Sequence, residues 1–165
     1  MVNAMRKRQL ENSMTIIPMS IGDYQQVHAI WTSCPGMGLN DVDDGLDGFA
    51  RFLKRNPTTC FIAVSNGESE NPRHAVGVIL AGNDGRRGYI YHTAVLPEYR
   101  HRGIAGKLVE AVCSAMTLLR IAKVALVVFA SNDAGNTFWE RQGFTVRTDL
   151  TYRNLALRDI KRMDT

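Results

Sequence analysis

The segment Val95-Leu96-Pro97-Glu98-Tyr99-Arg100-His101-Arg102-Gly103-Ile104-Ala105-Gly106 joins three elements in a row. Before it, an apolar run from Tyr89 to Leu96 reads as a strand that ends in a proline turn. After it, Ile104, Leu108, Val112, Ala115 and Leu119 recur at helical spacing. Between strand and helix lies a tight basic loop. Free backbone N–H groups at a helix N-terminus, together with the positive end of the helix dipole, form an anion site suited to a pyrophosphate. Gly103 lets phosphate oxygens approach the backbone, and Arg100 and Arg102 add charge nearby. The plainer alternative is a helix that merely opens with basic residues.

Two common phosphate motifs fail here. A Walker A loop, G-x-x-x-x-G-K-[ST], would place glycine at 101 and Ser or Thr at 108, where the chain has His101 and Leu108. A dinucleotide fingerprint, G-x-G-x-x-G, would need glycine at 105 and 108, which are Ala105 and Leu108. The pattern that fits is R-x-x-G-x-A, at Arg100, Gly103 and Ala105. It resembles the acyl-CoA signature Q/R-x-x-G-x-G/A of the GNAT N-acetyltransferase superfamily. Downstream, the strand-like run Lys123 to Phe129 leads into Asn132-Asp133-Ala134-Gly135-Asn136-Thr137-Phe138-Trp139-Glu140-Arg141-Gln142-Gly143-Phe144. That stretch resembles the family's second signature, N-x-x-A-x-x-F-Y-x-x-x-G-F. Asn132, Phe138, Gly143 and Phe144 fall in register, while Gly135 replaces the usual Ala and Trp139 the usual Tyr. The resemblance spans Thr15 to Leu157, nearly the whole chain.

Composition narrows the function classes. At 165 residues, with 45% hydrophobic and 22% charged residues, the chain is most simply one globular domain. No apolar run approaches the ~20 residues needed to span a membrane. The N-terminus lacks the apolar core of a signal peptide. Cys34, Cys60 and Cys113 are odd in number and widely spaced, so neither a disulfide framework nor a zinc site is expected, and a reducing cytoplasm fits. No other metal site is expected either: an EF-hand loop from Asp41 would need a polar ligand at 45 and Glu at 52, where Gly45 and Phe52 stand. A net charge of +4, part of it in the leader, is too sparse for nucleic-acid binding.

Along the chain, Thr15 to Met19 reads as a strand, followed by a helix over Asp23 to Thr32 and another over Leu46 to Arg55. Strands are expected over Thr59 to Ser65, Ala75 to Ala81 and Arg87 to Leu96, the last two joined by the turn Gly82-Asn83-Asp84-Gly85. A long helix over Gly103 to Arg120, a strand over Lys123 to Phe129 and a helix over Asp133 to Gln142 follow, then a strand pair at Phe144 to Arg147 and Thr151 to Leu157. The expected fold is α/β (α+β), a single-domain GNAT fold. Its mixed, mostly antiparallel central sheet would have about six to seven strands flanked by about four helices. It would occupy residues 14–158, between a flexible polar leader at 1–13 and a C-terminal tail at 159–165.

The resemblance implies an acetyl-CoA donor, an amine acceptor and direct transfer. By register with the motifs, the backbone at Ala94 and Val95 would pair with pantetheine and polarise the thioester carbonyl. The N–H groups of Arg100, His101, Arg102, Gly103, Ile104, Ala105 and Gly106 would cradle the pyrophosphate. Asn132, with Asn136, Phe138 and Trp139, would contact the rest of the cofactor. Attack requires a neutral amine, and an alkyl ammonium with a pKa of ~10.4 must lose a proton first. Many family members place a Glu on the strand before the loop for this task, but the matching position is Tyr89 and the strand has no carboxylate. His92 is the best substitute base, although strand alternation leaves open whether it faces the site, helices or solvent. With Trp139 unable to give a proton to the departing thiolate, Tyr152 or solvent would do so.

Asp41, Asp43, Asp44 and Asp47 lie where the family builds its acceptor pocket. They could bind a cationic amine; the plainer reading has Asp44 as N-cap and Asp47 in the first turn of the second helix. The expected acceptor is a small molecule such as an amino acid or polyamine, with a protein N-terminus or lysine as alternative. Other readings are a non-catalytic acyl-CoA sensor and a nucleotide-binding regulator. The resemblance also implies a homodimer.

Overall fold

A computed structural model describes residues 14–65 and 73–163. The leader at 1–13 and most of the polar loop after Ser65 lie outside the described residues. The sheet runs β1 (Met14–Pro18), β2 (Phe61–Ser65), β3 (Ala75–Asn83), β4 (Gly88–Val95) and β5 (Val124–Ala125) in that spatial order. The first four strands are antiparallel neighbours and β5 joins β4 in parallel. Helices α1 (Tyr24–Thr32) and α2 (Leu46–Arg55) lie between β1 and β2 in sequence, α3 (Ile104–Leu118) forms the crossover from β4 to β5, and α4 (Asp133–Arg141) follows. The fold class is the expected one, a mixed sheet with four helices among the described residues.

Each face of the sheet carries its own core. Val27, Trp31 and Phe49 of α1 and α2 pack with Ile62, Val78 and Leu80. Ile104, Leu108, Val112 and Met116 of α3 pack with Val76, Ile79 and Ile90 on the other face. The start of α1 is anchored by Asp23, which accepts from Arg73 (2.6 Å) and from the Ser20 hydroxyl (2.7 Å). Burial alone would raise its carboxyl, but the Arg73 and Ser20 donors outweigh that and hold it below the ordinary aspartate value.

Gly77 on β3 sets how closely α3 approaches the sheet. A Cβ there would lie 3.1 Å from Ile104 and 3.3 Å from Leu108 and Val95. Gly77→Val is therefore expected to cost about 1–3 kcal/mol by overpacking. For a chain of this size that is roughly 2–4 °C of melting temperature per kcal/mol. It also pushes back the first turn of α3, so calorimetry should show weaker binding of CoA alongside the lowered melt.

Among the described residues the strand count is lower than expected, five rather than six to seven. Residues 144–147 and 151–157 form no strand, and Leu155 and Leu157 are 81% and 91% exposed. The reason lies in β5, which pairs with β4 only at Gly88↔Val124 and Tyr89↔Ala125. Residues 124–129 keep a strand's inward-outward alternation, yet beyond Ala125 they have no ladder. So short an edge gives a following strand little to pair with. Among the described residues no helix is long and apolar enough to cross a membrane.

Candidate active site

The β4–β5 ladder ends at Tyr89↔Ala125, which leaves a gap in the sheet's hydrogen bonding beside the C-terminal half of β4. Leu96 donates its N–H to the Val76 carbonyl (3.0 Å), so Val76 and Leu96 form a hydrogen-bonded pair. Antiparallel pairs alternate, and Val95, opposite Gly77, is therefore a non-hydrogen-bonded position. Its N–H and C=O point away from β3, toward the gap. The carbonyl is taken by Arg100, whose Nε donates to it at 3.0 Å, with the Cys34 thiol 3.8 Å away. Arg100 also reaches Cys34 through Nη2 (3.4 Å). Its guanidinium thus braces the end of β4 and the end of α1. Ala94, one residue back, is buried against the α1–α2 core.

The basic loop that follows has an unusual backbone. His101 (φ 60°) and Gly103 (φ 76°) both adopt left-handed conformations on either side of Arg102. Such turns gather successive N–H groups into a concave anion nest. Gly103 is the N-cap of α3 and offers no side-chain acceptor to the orphan N–H groups of the first turn. A Cβ at Gly103 would meet nothing within 4 Å, so the cradle is open to solvent. Arg102 lies over the Tyr99 ring (4.9 Å) and donates through Nη2 to the Glu98 carbonyl (2.8 Å). Its Nη1 is buried without a partner. Ile104 is buried in the core, Ala105 packs against it, and Gly106 faces Gln142. Clustered N–H groups plus a spare guanidinium donor are the chemistry that holds a phosphate.

His92 owes its direction to a bulge. The β3–β4 register shifts between Ile79↔Thr93 and Ala81↔Ile90, which leaves Tyr91 and His92 opposite Leu80 alone. Ile90 points to the α3 core. Simple alternation would send His92 after it. With the bulge, Tyr91 meets Phe52 of α2 (5.3 Å, edge-on) and His92 meets Trp31 of α1 (5.0 Å, edge-on), both on the opposite face. His92 Nε2 lies 2.7 Å from Asp44 Oδ1, with side-chain exposures of 13% and 4%. Asp44 is not an N-cap, since Gly45 occupies that place. Its carboxylate instead accepts the Asn40 N–H through Oδ2 (2.7 Å), and its carbonyl accepts from the Tyr24 hydroxyl (3.2 Å). Sequence reasoning missed this pairing because Asp44 and His92 are far apart in the chain and the bulge leaves no local signature.

Around His92 the same face carries an aromatic wall. The Tyr89 and Tyr91 rings pack at a tilt of 51° with centroids 4.8 Å apart. Burial pushes the Tyr89 phenol above its ordinary value, with the charges of Tyr152 and Tyr91 adding to it. Burial likewise raises Tyr91, helped by Asp43 and Tyr152. Both phenols are therefore neutral at physiological pH. Tyr152 itself is 69% exposed and close enough to influence both rings.

On the other side of the gap, Asn132 caps α4 by accepting the Gly135 N–H (2.9 Å). Asn136 donates to the Phe129 carbonyl (3.1 Å), which ties the helix to the end of the β5 segment. Asn132 also lines an open cleft of about 270 Å³ with Pro35, Gly36, Phe129 and Ser131. Phe138 and Trp139 pack edge-on (5.0 Å), and Trp139 packs on Phe144 (5.1 Å), all partly buried against the α3 core. Among the described residues no group of His, Cys, Asp or Glu converges as a metal site.

Residues 24–144 match the Acetyltransferase (GNAT) family. An acetyltransferase of Sodalis glossinidius (strain morsitans) is 31% identical over 120 residues, 72% of this chain and 78% of that protein. One from Photorhabdus laumondii subsp. laumondii is 33% identical over 112 residues, 68% of this chain and 73% of its own length. Among solved structures, the NatC complex bound to Gag peptide and CoA contains a chain that superposes with a TM-score of 0.68 at 25% identity, covering 81% of this chain and 85% of that one.

Proposed function

The chain belongs to the acetyltransferase (GNAT) family and is an acyltransferase with acetyl-CoA as donor, and from that premise we propose that it acetylates the primary amine of a small molecule, an amino acid or polyamine-like compound, by direct transfer. The observation that carries the reading is the gap beside β4, with the Val95 N–H directed into it and the anion nest at His101–Gly106 at its end. The Arg100 N–H, expected in the cradle, is instead donated to the Pro97 carbonyl (3.2 Å). Acetyl-CoA supplies an activated thioester there. The nest and the spare Nη1 of Arg102 hold the pyrophosphate, and the Val95 N–H stabilises negative charge on the carbonyl oxygen as the amine attacks. Asn132, Asn136, Phe138 and Trp139 border the cofactor from the α4 side. Cytoplasmic residence is part of the proposal, supported by the free thiols of Cys34, Cys60 and Cys113.

The acceptor side is the face of β4 toward α1 and α2. Neutral Tyr89 and Tyr91 rings beside Asp43 suit an approaching ammonium group through cation–π attraction and charge. His92 then takes one proton from the ammonium, and the second proton lost from the nitrogen as the amide forms passes through Tyr152 or solvent to the leaving thiolate. A second reading, a protein N-terminal acetyltransferase, is favoured by the likeness to the chain in the peptide-bound NatC complex.

The test is CoA release from acetyl-CoA against amino acids, polyamines, aminoglycosides and short peptides with free N-termini. Turnover with a small amine supports the proposal, turnover with peptides alone replaces it by the second reading, and binding without turnover would make the chain a sensor. Arg102→Ala is expected to raise the dissociation constant of acetyl-CoA by about 10–100-fold, the loss of one charge-assisted contact. Titration calorimetry checks it, and an unchanged constant would remove Arg102 from the cradle.

A further inference from the structure

We propose that Asp44 is the positioning residue for His92, fixing the ring proton on Nε2 so that the lone pair of Nδ1 is the one presented to the acceptor amine. The inference rests on the reading of His92 as the base and adds a residue and a tautomer to it. A carboxylate has acceptors only, so a ring nitrogen 2.7 Å from Asp44 Oδ1 must carry the hydrogen. In neutral imidazole the other nitrogen then holds the lone pair. Nδ1 makes no hydrogen bond among the described residues.

The carboxylate is itself fixed. Oδ2 accepts the Asn40 N–H, and the Tyr24 hydroxyl holds the backbone carbonyl of the same residue. Trp31 lies edge-on to the imidazole at 5.0 Å and limits its rotation, while the Trp31 Nε1 has no polar partner of its own. The ring is therefore held by one strong bond and one aromatic contact, with a single nitrogen uncommitted. His92 takes one proton from the acceptor ammonium at Nδ1, and the freed lone pair forms the new N–C bond as the C–S bond breaks. The electron pair leaves on the sulfur of CoA, and the second N–H proton passes through Tyr152 or solvent to that sulfur. The resulting imidazolium keeps its Nε2–H bond to Asp44, whose negative charge stabilises it.

Asp44→Asn tests this directly. To keep the Asn40 N–H satisfied, the amide must turn its oxygen toward Asn40 and its NH2 toward His92 Nε2. That amide donates where the carboxylate accepted, so the ring proton moves to Nδ1 and the lone pair is turned away from the acceptor. Nitrogen-15 NMR of the histidine rings should show Nε2–H for His92 in the unsubstituted protein and Nδ1–H in Asp44→Asn. With the amine that supports turnover, kcat should fall roughly tenfold to a hundredfold, with KM for acetyl-CoA unchanged.

An Nδ1–H signal in the unsubstituted protein overturns the inference, and that spectrum needs no variant to fold. A flipped tautomer with undiminished kcat overturns it as well. Failure of the acetyl-transfer reading has a separate signature, no CoA release by the unsubstituted protein with any amine, and the tautomer assignment then stands or falls on the spectrum alone.

Discussion

Val95→Pro is expected to lower kcat by about 10²–10³-fold, the loss that follows removal of one backbone donor to a developing oxyanion. Proline deletes the N–H and nothing else that the sheet requires. The Val95–Gly77 pair is a non-hydrogen-bonded one, so β3 loses no ladder bond. Proline is tolerated in strands where the N–H faces outward. The Val95 carbonyl stays available to Arg100, which preserves the brace at the end of β4. Some stability is lost, because the Val95 side chain is buried with Ile104 and Leu108 in the α3 core. Val95→Ala separates that loss from the catalytic one, since it trims the same side chain and keeps the donor. The ratio of kcat between the two variants, measured at saturating acetyl-CoA, isolates the N–H. A ratio within a few-fold of unity would show that the thioester carbonyl is polarised elsewhere.

The position of Val95 at the end of β4 is legible in the sequence, because the motif register places it and the loop relative to one another. Arg100, Gly103 and Ala105 lie within one loop, and a short pattern is enough to specify a strand end, a nest and a helix start. Gly103 is in the left-handed conformation that only glycine adopts cheaply. His101 shares that conformation, which nothing in its side chain announces. Arg100 was expected to add charge beside the phosphate, yet its guanidinium is spent on the Val95 carbonyl and Cys34, a contact between segments 66 residues apart. The direction of His92 is less legible. Alternation leaves His92 undecided, and a single extra residue between Ile90 and Thr93 turns it from the α3 core to Trp31 and Asp44. Asp44 read as an N-cap because acidic residues before helices usually are; Gly45 takes that place and frees the carboxylate. The last two strands read from apolar residues such as Leu155 and Leu157 are not formed, because alternation specifies a face and only a paired neighbour makes a strand.

His92→Ala is expected to reduce kcat by about 10²–10⁴-fold with an alkyl amine near pH 7, the range for loss of a general base. Three readouts distinguish a lost base from a lost strut. An alkyl ammonium has a pKa of ~10.4, so raising the pH lets water deprotonate it and the deficit should shrink. An acceptor of low amine pKa, already neutral at pH 7, should likewise narrow the gap, and added imidazole should restore part of the rate. The variant also strands Asp44, which is 3% exposed and would lose its cationic or N–H partner. A buried carboxylate left with the Asn40 N–H on Oδ2 and nothing on Oδ1 destabilises, so a poor melt alone would say nothing about catalysis. His92→Gln removes that ambiguity, because the glutamine amide can donate to Asp44 Oδ1 yet has no basic lone pair. Equal loss in both variants, with recovery at high pH, assigns the proton transfer to His92. Retention of activity in His92→Gln would assign the imidazole to holding the α1–α2 loop against β4, and the base would then have to be sought among the aspartates of that loop or in solvent.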